Sequence, residues 1–220
     1  TTAGTGSEAT VAAVLTDPAR ILKQSLRHPS FMPRPVLLDP DLLAGCPPAT
    51  VAAAGLDAFV QAFESYTSRY ATPLTRSLSE LALTRIAAAL GPLFRGDAAA
   101  ASDMLEGSYL AGLALSHARL GVVHGLAHPL GARFGVAHGL ACALCLPAAL
   151  AFNREHIRAD LDALRARHGL DVEDAVAGWL AEMRPVNPFR GQPLSDRTAI
   201  VAETLASGST GANPRPVSAD

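Results

Sequence analysis

The chain has 220 residues, 49% of them apolar and 17% charged, the composition of a globular protein able to bury a real core. A net charge of -2 provides no broad basic surface, which argues against nucleic acid and anionic membrane as partners. Its three cysteines, Cys46, Cys142 and Cys145, are too few and odd in number for a disulfide framework and point to a reducing cytoplasm.

The chain opens on a polar, glycine-containing turn, Thr1-Thr2-Ala3-Gly4-Thr5-Gly6-Ser7-Glu8, with no strand before it. Residues 9–16 (ATVAAVLT) and 35–39 (PVLLD) read as strands joined by a polar connection. From about residue 48 the pattern becomes long Ala/Leu-rich segments with helical spacing. Pro47-Pro48 opens the first helix, which should run to about Tyr70. Pro73 and Thr75 restart the chain into a second helix, and Gly91-Pro92 should end it. Asp97 is expected to cap a third, reaching roughly Leu120. Residues 121–131 form a glycine-punctuated segment with two histidines, and His138-Gly139 leads into the longest apolar stretch, Gly139 to Phe152. That stretch carries Pro147 and is too short to span a bilayer, so it reads as a buried helix. Asn153, Asp171 and Ser195 are expected caps of three later, more polar helices, with a Pro-rich loop over 184–193. The chain closes on Asn213-Pro214-Arg215-Pro216 without a final element, so a segment of a longer protein is expected. Residues 1–45 read as a small β-containing piece and 46–220 as an all-helical domain.

Three of the seven histidines are close together in His124-Gly125-Leu126-Ala127-His128-Pro129-Leu130-Gly131 and Ala137-His138-Gly139. On a helix, His124 and His128 share one face, about 5–6 Å apart at Cβ. His138 follows a glycine-bearing turn that lets the chain fold back. Apolar surroundings do not satisfy ring nitrogens, and an unpaired buried polar group is costly. A metal ion would resolve that, since neutral imidazole is the commonest ligand for zinc- and iron-type ions. The anionic partner expected is Asp57, set among apolar neighbours in Gly55-Leu56-Asp57-Ala58-Phe59-Val60-Gln61. Gln61 lies one turn later on the same face and offers a weak carbonyl donor.

The His-x3-His-x2-Gly block at His124, His128 and Gly131, followed by His138-Gly139, Leu146-Pro147 and Asn153, resembles the iron-containing (group III) alcohol dehydrogenases. So do the opening TTAGTGSE, Leu38-Asp39-Pro40, the AAAGLDAF run around Asp57 and the terminal SGSTGANPRPV. The resemblance implies a mainly α fold of dehydroquinate synthase-like architecture. In it, residues 1–45 are the remnant of a Rossmann-like α/β nucleotide-binding domain and 46–220 the helical metal-binding domain. It implies metal ligation by Asp57, His124 and His138, with Gln61 beside them, and a catalytic His128 near nicotinamide and substrate. Thr1, Thr2, Thr10, Lys23 and Leu42 would line the cofactor, NAD or NADP. The ion would be Fe2+ or Zn2+, the substrate a small alcohol or aldehyde, and the assembly a cytoplasmic homodimer. Two departures stand out. Gln61 occupies the place where the family has a histidine four residues after the aspartate. This leaves open a site of three strong ligands, a harder ion, or no metal at all. Ala137 stands where proline is common before the His-Gly.

The implied chemistry is hydride transfer between an alcohol or carbonyl carbon and nicotinamide, with the ion as Lewis acid and His128 relaying the proton. Phe59, Phe63, Phe134 and Val136 are the expected shapers of the substrate site. The Cys142-Ala143-Leu144-Cys145 spacing lies inside an apolar helix and reads as packing rather than a redox motif. Trp179 reads as a helix-face core residue and Arg215 as a surface or domain contact. Three other readings remain: a maleylacetate reductase-like enzyme, against which stands Ala127 where that group has cysteine; a metal-dependent hydrolase or lyase using the same ligands; and a non-catalytic helical module.

Overall fold

The computed structural model describes residues 2–19, 22–191, 193 and 196–219, with the backbone alone for Thr16 and residues 22–24. After a 3-10 turn at Ser7–Ala9, β1 (Ala12–Asp17) and β2 (Leu22–Arg27) form an antiparallel hairpin in register from Ala12 opposite Arg27 to Asp17 opposite Leu22. The second strand is therefore not the expected 35–39 run. Pro35 has no N–H to give a ladder, and Leu37 is 86% exposed, so that run has neither a sheet partner nor a core to face. Instead it leads into a 3-10 turn at Pro40–Leu43, whose Asp39 carboxylate accepts from the Asp41 N–H. The more polar 22–27 segment becomes the strand because β1 is next to it in the chain and supplies its hydrogen bonds.

Seven helices follow among the described residues. Helix α1 (Pro48–Thr67) starts with proline in its first turn and is buried on every side from Gly55 to Thr67. A helix buried all round is a core helix, and α1 packs against α2, α3 and α5. Its buried polar residues Asp57, Gln61 and Glu64 fall at i, i+4 and i+7, so they form one stripe. Helix α2 (Pro73–Phe94) begins with a capping box in which Thr72 and Thr75 each accept the other's backbone N–H. It runs through Gly91-Pro92 rather than ending there. So near the C-terminus, proline removes only one ladder bond, and the Arg95 N–H still donates to the Gly91 carbonyl.

Asp97 caps a 3-10 turn (Ala98–Ala100) that continues as α3 (Ala101–Ala118). Helix α4 (Val122–Phe134) carries two of the clustered histidines, and α5 (His138–His168) begins with the third. Asn153 does not start a new helix, because α5 passes straight through it. Its amide pairs with Asn213, donating at 3.1 Å and accepting at 2.7 Å, so it is not available to cap local backbone. Asp171 does cap α6 (Val172–Met183), accepting from the Asp174 N–H at 3.1 Å. Ser195 lies outside the described residues; α7 (Arg197–Ala206) is preceded by Asp196 in a left-handed conformation. Trp179 of α6 meets Phe59 of α1 edge-on, centroids 4.9 Å apart. Arg215 lies over the Phe152 ring and donates to the Phe152 carbonyl at 2.8 Å, which ties the chain after the last 3-10 turn (Thr210–Ala212) to α5. No single described helix is long and apolar enough to cross a membrane.

Candidate metal centre and cofactor cleft

The polar stripe of α1 faces the N-terminal ends of α4 and α5. Glu64 accepts the backbone N–H groups of Gly121 (2.8 Å) and Val123 (2.7 Å), two donors the start of α4 would otherwise leave unsatisfied. Its third partner is His124 Nδ1 at 2.7 Å. An ionised carboxylate only accepts, so the ring must carry its proton on Nδ1. The lone pair of a neutral His124 is then on Nε2, 3.3 Å from Asp57 Oδ1. Both atoms are buried, and neither makes a hydrogen bond, even with the other. Two acceptors facing each other at that distance call for a cation or a proton between them. Glu64–His124 is thus the carboxylate–histidine pair that usually supports a metal-binding imidazole.

His138, in the first turn of α5, brings Nε2 to 3.8 Å from Asp57 Oδ1. Gly139 permits this approach: a Cβ there would lie 2.2 Å from the Ala53 carbonyl oxygen. Gly121 similarly makes room for Glu64, whose Oε1 would be 2.6 Å from a Cβ at that position. Gln61 donates its amide to Asp57 Oδ2 (3.2 Å) and the Thr5 carbonyl (3.4 Å), while its own Oε1 is buried with no hydrogen-bond partner. His128 stacks on His138 with centroids 5.2 Å apart. Cys142, one turn after His138, places Sγ 3.8 Å from His138 Nε2. The ligating atoms of Asp57, His124, His138 and Cys142 all lie within 4.8 Å of one another.

Electrostatics favour a cation here. Burial by itself would raise the Asp57 carboxyl, but its contacts with His124 and the charge of His138 outweigh burial and hold it below its usual value. Burial opposes charge on His124 as well; the Cys142 sulfur and the carboxylates of Asp57 and Glu64 prevail and raise its pKa well above the ordinary one. The Cys142 thiol is pushed up to about 12, chiefly by burial.

Asp57, Gln61, His124 and His138 form the floor of a cavity of about 960 Å³. The hairpin contributes one wall through Ala12, Val14, Ser25 and Arg27. His128 and Pro129 of α4, Leu115 of α3 with Arg119 and Leu120 just after it, and Ser207 to Ser209 line the rest. Of the residues expected at the site, the fold brings together Asp57, Gln61, His124, His128, His138 and Thr10. Thr10 donates its hydroxyl to the Ser7 carbonyl. Thr2 and Leu42 are not among the cavity's lining residues, and Leu42 is 76% exposed. Lys23 lies on β2 opposite Thr16, its side chain not described, and Thr1 lies outside the described residues. The four expected shapers of the substrate site do not line the cavity. Phe59 and Phe63 are core residues, Val136 is buried, and Phe134 packs edge-on against Phe189. Helical periodicity places Phe59 and Phe63 on the side of α1 away from the polar stripe, so they face the core and not the cavity. Two participants were overlooked in the sequence, Glu64 and Cys142. The available signals were spacing: Glu64 extends the Asp57–Gln61 face by one turn, and Cys142 follows His138 by four.

Residues 51–184 match the model of the Fe-containing alcohol dehydrogenase family, C-terminal part. Lactaldehyde reductase of Escherichia coli (strain K12) is 34% identical over 98% of this chain. The probable alcohol dehydrogenase EutG of Salmonella typhimurium is 42% identical over 70% of the chain and 40% of its own length. A crystal structure of 1,3-propanediol oxidoreductase superposes with a TM-score of 0.91 at 29% identity, over 98% of this chain and 60% of that one. The chain spans 60% of the length of the lactaldehyde reductase.

Proposed function

Because the chain belongs to the Fe-containing alcohol dehydrogenase family, we propose that the whole protein is a metal-dependent, NAD(P)-linked alcohol dehydrogenase or aldehyde reductase acting on a small alcohol or carbonyl substrate. One observation carries the reading: Asp57 Oδ1 and His124 Nε2, both buried and unbonded, converge with His138 on the floor of an open cleft. Asp57, His124 and His138 would hold the ion, which when bound supplies Lewis-acid polarisation of the substrate oxygen. The nicotinamide, held by the cleft and by residues 1–45 read as part of a nucleotide-binding domain, supplies the hydride chemistry.

The chain's own residues do the rest. Glu64 holds the proton on His124 Nδ1, so that Nε2 is the nitrogen turned towards Asp57 and offered to the ion. Gln61 fixes Asp57 through Oδ2 and leaves Oδ1 directed into the cluster. His128, stacked on His138 and lining the cleft, passes the proton to or from the substrate oxygen. Leu115, Leu120 and Pro129 line the cleft and would limit water at the reacting groups. The free cysteines support a reducing compartment such as the cytoplasm, and the family resemblance supports a homodimer.

The test is metal content and NAD(P)H-dependent aldehyde reduction in the whole protein, wild type beside His124→Ala. The reading expects about one divalent ion per chain together with activity, and the loss of both in the variant. Activity that persists without metal, or metal binding without nicotinamide-linked turnover, would overturn it.

A further inference from the structure

The family pattern places a histidine four residues after the metal-binding aspartate, and this chain has Gln61 there. A nitrogen donor is therefore missing from α1. The structure supplies another donor nearby, on a different helix. Cys142 is fully buried, one turn after His138 on α5, and its sulfur belongs to the same tight group as Asp57, His124 and His138. We propose that Cys142 is the fourth protein donor, bound as a thiolate, and that the centre is an Asp-His-His-Cys site selective for a zinc-class ion. This deepens the metal-dependent reading above and rests on it.

Distances support the assignment. An ion bound at about 2.0–2.3 Å to N, O and S donors in a tetrahedron separates those donors by roughly 3.3–3.8 Å. Three of the six separations are 3.3 Å for His124–Asp57, 3.8 Å for His138–Asp57 and 3.8 Å for Cys142–His138, and all six are within 4.8 Å. Little movement is needed to collect the four. Charge supports it as well. Asp57 and a Cys142 thiolate would give the ion two anionic ligands, while the third carboxylate, Glu64, is engaged by the Gly121 and Val123 N–H groups and by His124. A thiol that coordinates a metal is deprotonated outright by it. Gln61 does not compete for the role: its amide N–H groups are committed to Asp57 and Thr5, and its carbonyl is a weak, neutral donor. Thiolate ligation shifts preference away from oxygen-seeking ions such as Mg2+ and towards Zn2+ and its spectroscopic substitute Co2+. With four protein donors the substrate oxygen would have to enter as a fifth ligand, an expansion that zinc centres permit.

The experiment is Co2+ substitution of the whole protein, followed by absorption spectroscopy and Zn2+ competition, on wild type, Cys142→Ser, Cys145→Ser and Gln61→Ala. Far-UV circular dichroism confirms that each variant is folded. The wild type should show an intense near-ultraviolet thiolate-to-cobalt charge-transfer band. Cys142→Ser should lose that band and weaken Zn2+ binding by at least about 10-fold, the lower range for losing even a supporting partner of a ligand. Cys145→Ser should keep the band, as should Gln61→Ala. Stoichiometric cobalt without the band in wild type, or a band that survives Cys142→Ser, overturns the thiolate ligand and leaves the dehydrogenase reading intact. A folded wild type that binds neither Co2+ nor Zn2+ overturns both. If Cys142→Ser fails to fold, the wild-type spectrum decides alone.

Discussion

Replacing Glu64 with glutamine tests how the centre is built. The carboxylate serves three donors at once: the Gly121 and Val123 N–H groups and His124 Nδ1–H. A glutamine keeps one acceptor oxygen. In its better orientation that oxygen serves Gly121 and His124, and its NH2 then faces the Val123 N–H, leaving a buried donor against a donor. An unsatisfied buried group costs about 1–3 kcal/mol. Losing the negative charge at the start of α4 adds about 0.3–1 kcal/mol, more when the site is buried. The sum is about 1–4 kcal/mol of stability. A neutral amide also fails to polarise the imidazole, so affinity at His124 Nε2 should fall by about 10–100-fold. Urea unfolding and Zn2+ titration of the variant read the two effects separately. An unchanged unfolding midpoint with unchanged Zn2+ affinity would refute the claim that Glu64 both caps α4 and orients His124.

Two further substitutions probe other parts of the site. Gly139→Ala puts a Cβ about 2.2 Å from the Ala53 carbonyl, which forces α1 and α5 apart and carries His138 away from Asp57; metal binding should be lost while far-UV circular dichroism shows the helices retained, and normal metal content would contradict the argument. Asn213→Ala removes the acceptor for the Val122 N–H (3.2 Å) and leaves the Asn153 amide unpaired in the core. The cost should be about 1–3 kcal/mol in chemical denaturation, and a variant as stable as wild type would show that the pair does not hold the C-terminal segment.

Much of this arrangement could be read from residue order alone, and the misses have physical causes. Capping chemistry is local, so the helix start at Pro73 and Thr75, Asp97 and Asp171 were legible. Side-chain spacing on a helix is also local, so Asp57 with Gln61 and His124 with His128 could be paired in advance. What is non-local was harder. The strand at 22–27 is defined by its partner β1 rather than by its own composition. Asn153 resembles a cap until Asn213, sixty residues away, engages its amide. Cys142 reads as packing in an apolar helix, and only the docking of α5 against α1 reveals that its sulfur faces a carboxylate and two imidazoles. Phe59 and Phe63 look equally suited to a core or a pocket, and the choice depends on which side of α1 the polar stripe takes.

The hairpin wall bears on how such a scaffold diversifies. Its side chains are open, with Val14 at 52%, Leu15 at 56% and Leu26 at 45% exposure, while Asp57, Glu64 and His124 across the cleft are embedded among the most buried residues of the chain. Substitutions at exposed positions typically alter stability by no more than about 0.5 kcal/mol, whereas those that strand a buried polar group can unfold a protein. The cleft thus divides into a face that evolution can rewrite freely and a face that it must conserve as a unit. Changes at Val14, Ser25 or Arg27 would remodel what the cleft admits without disturbing the groups that carry out the reaction, so that recognition and chemistry are inherited as separable traits.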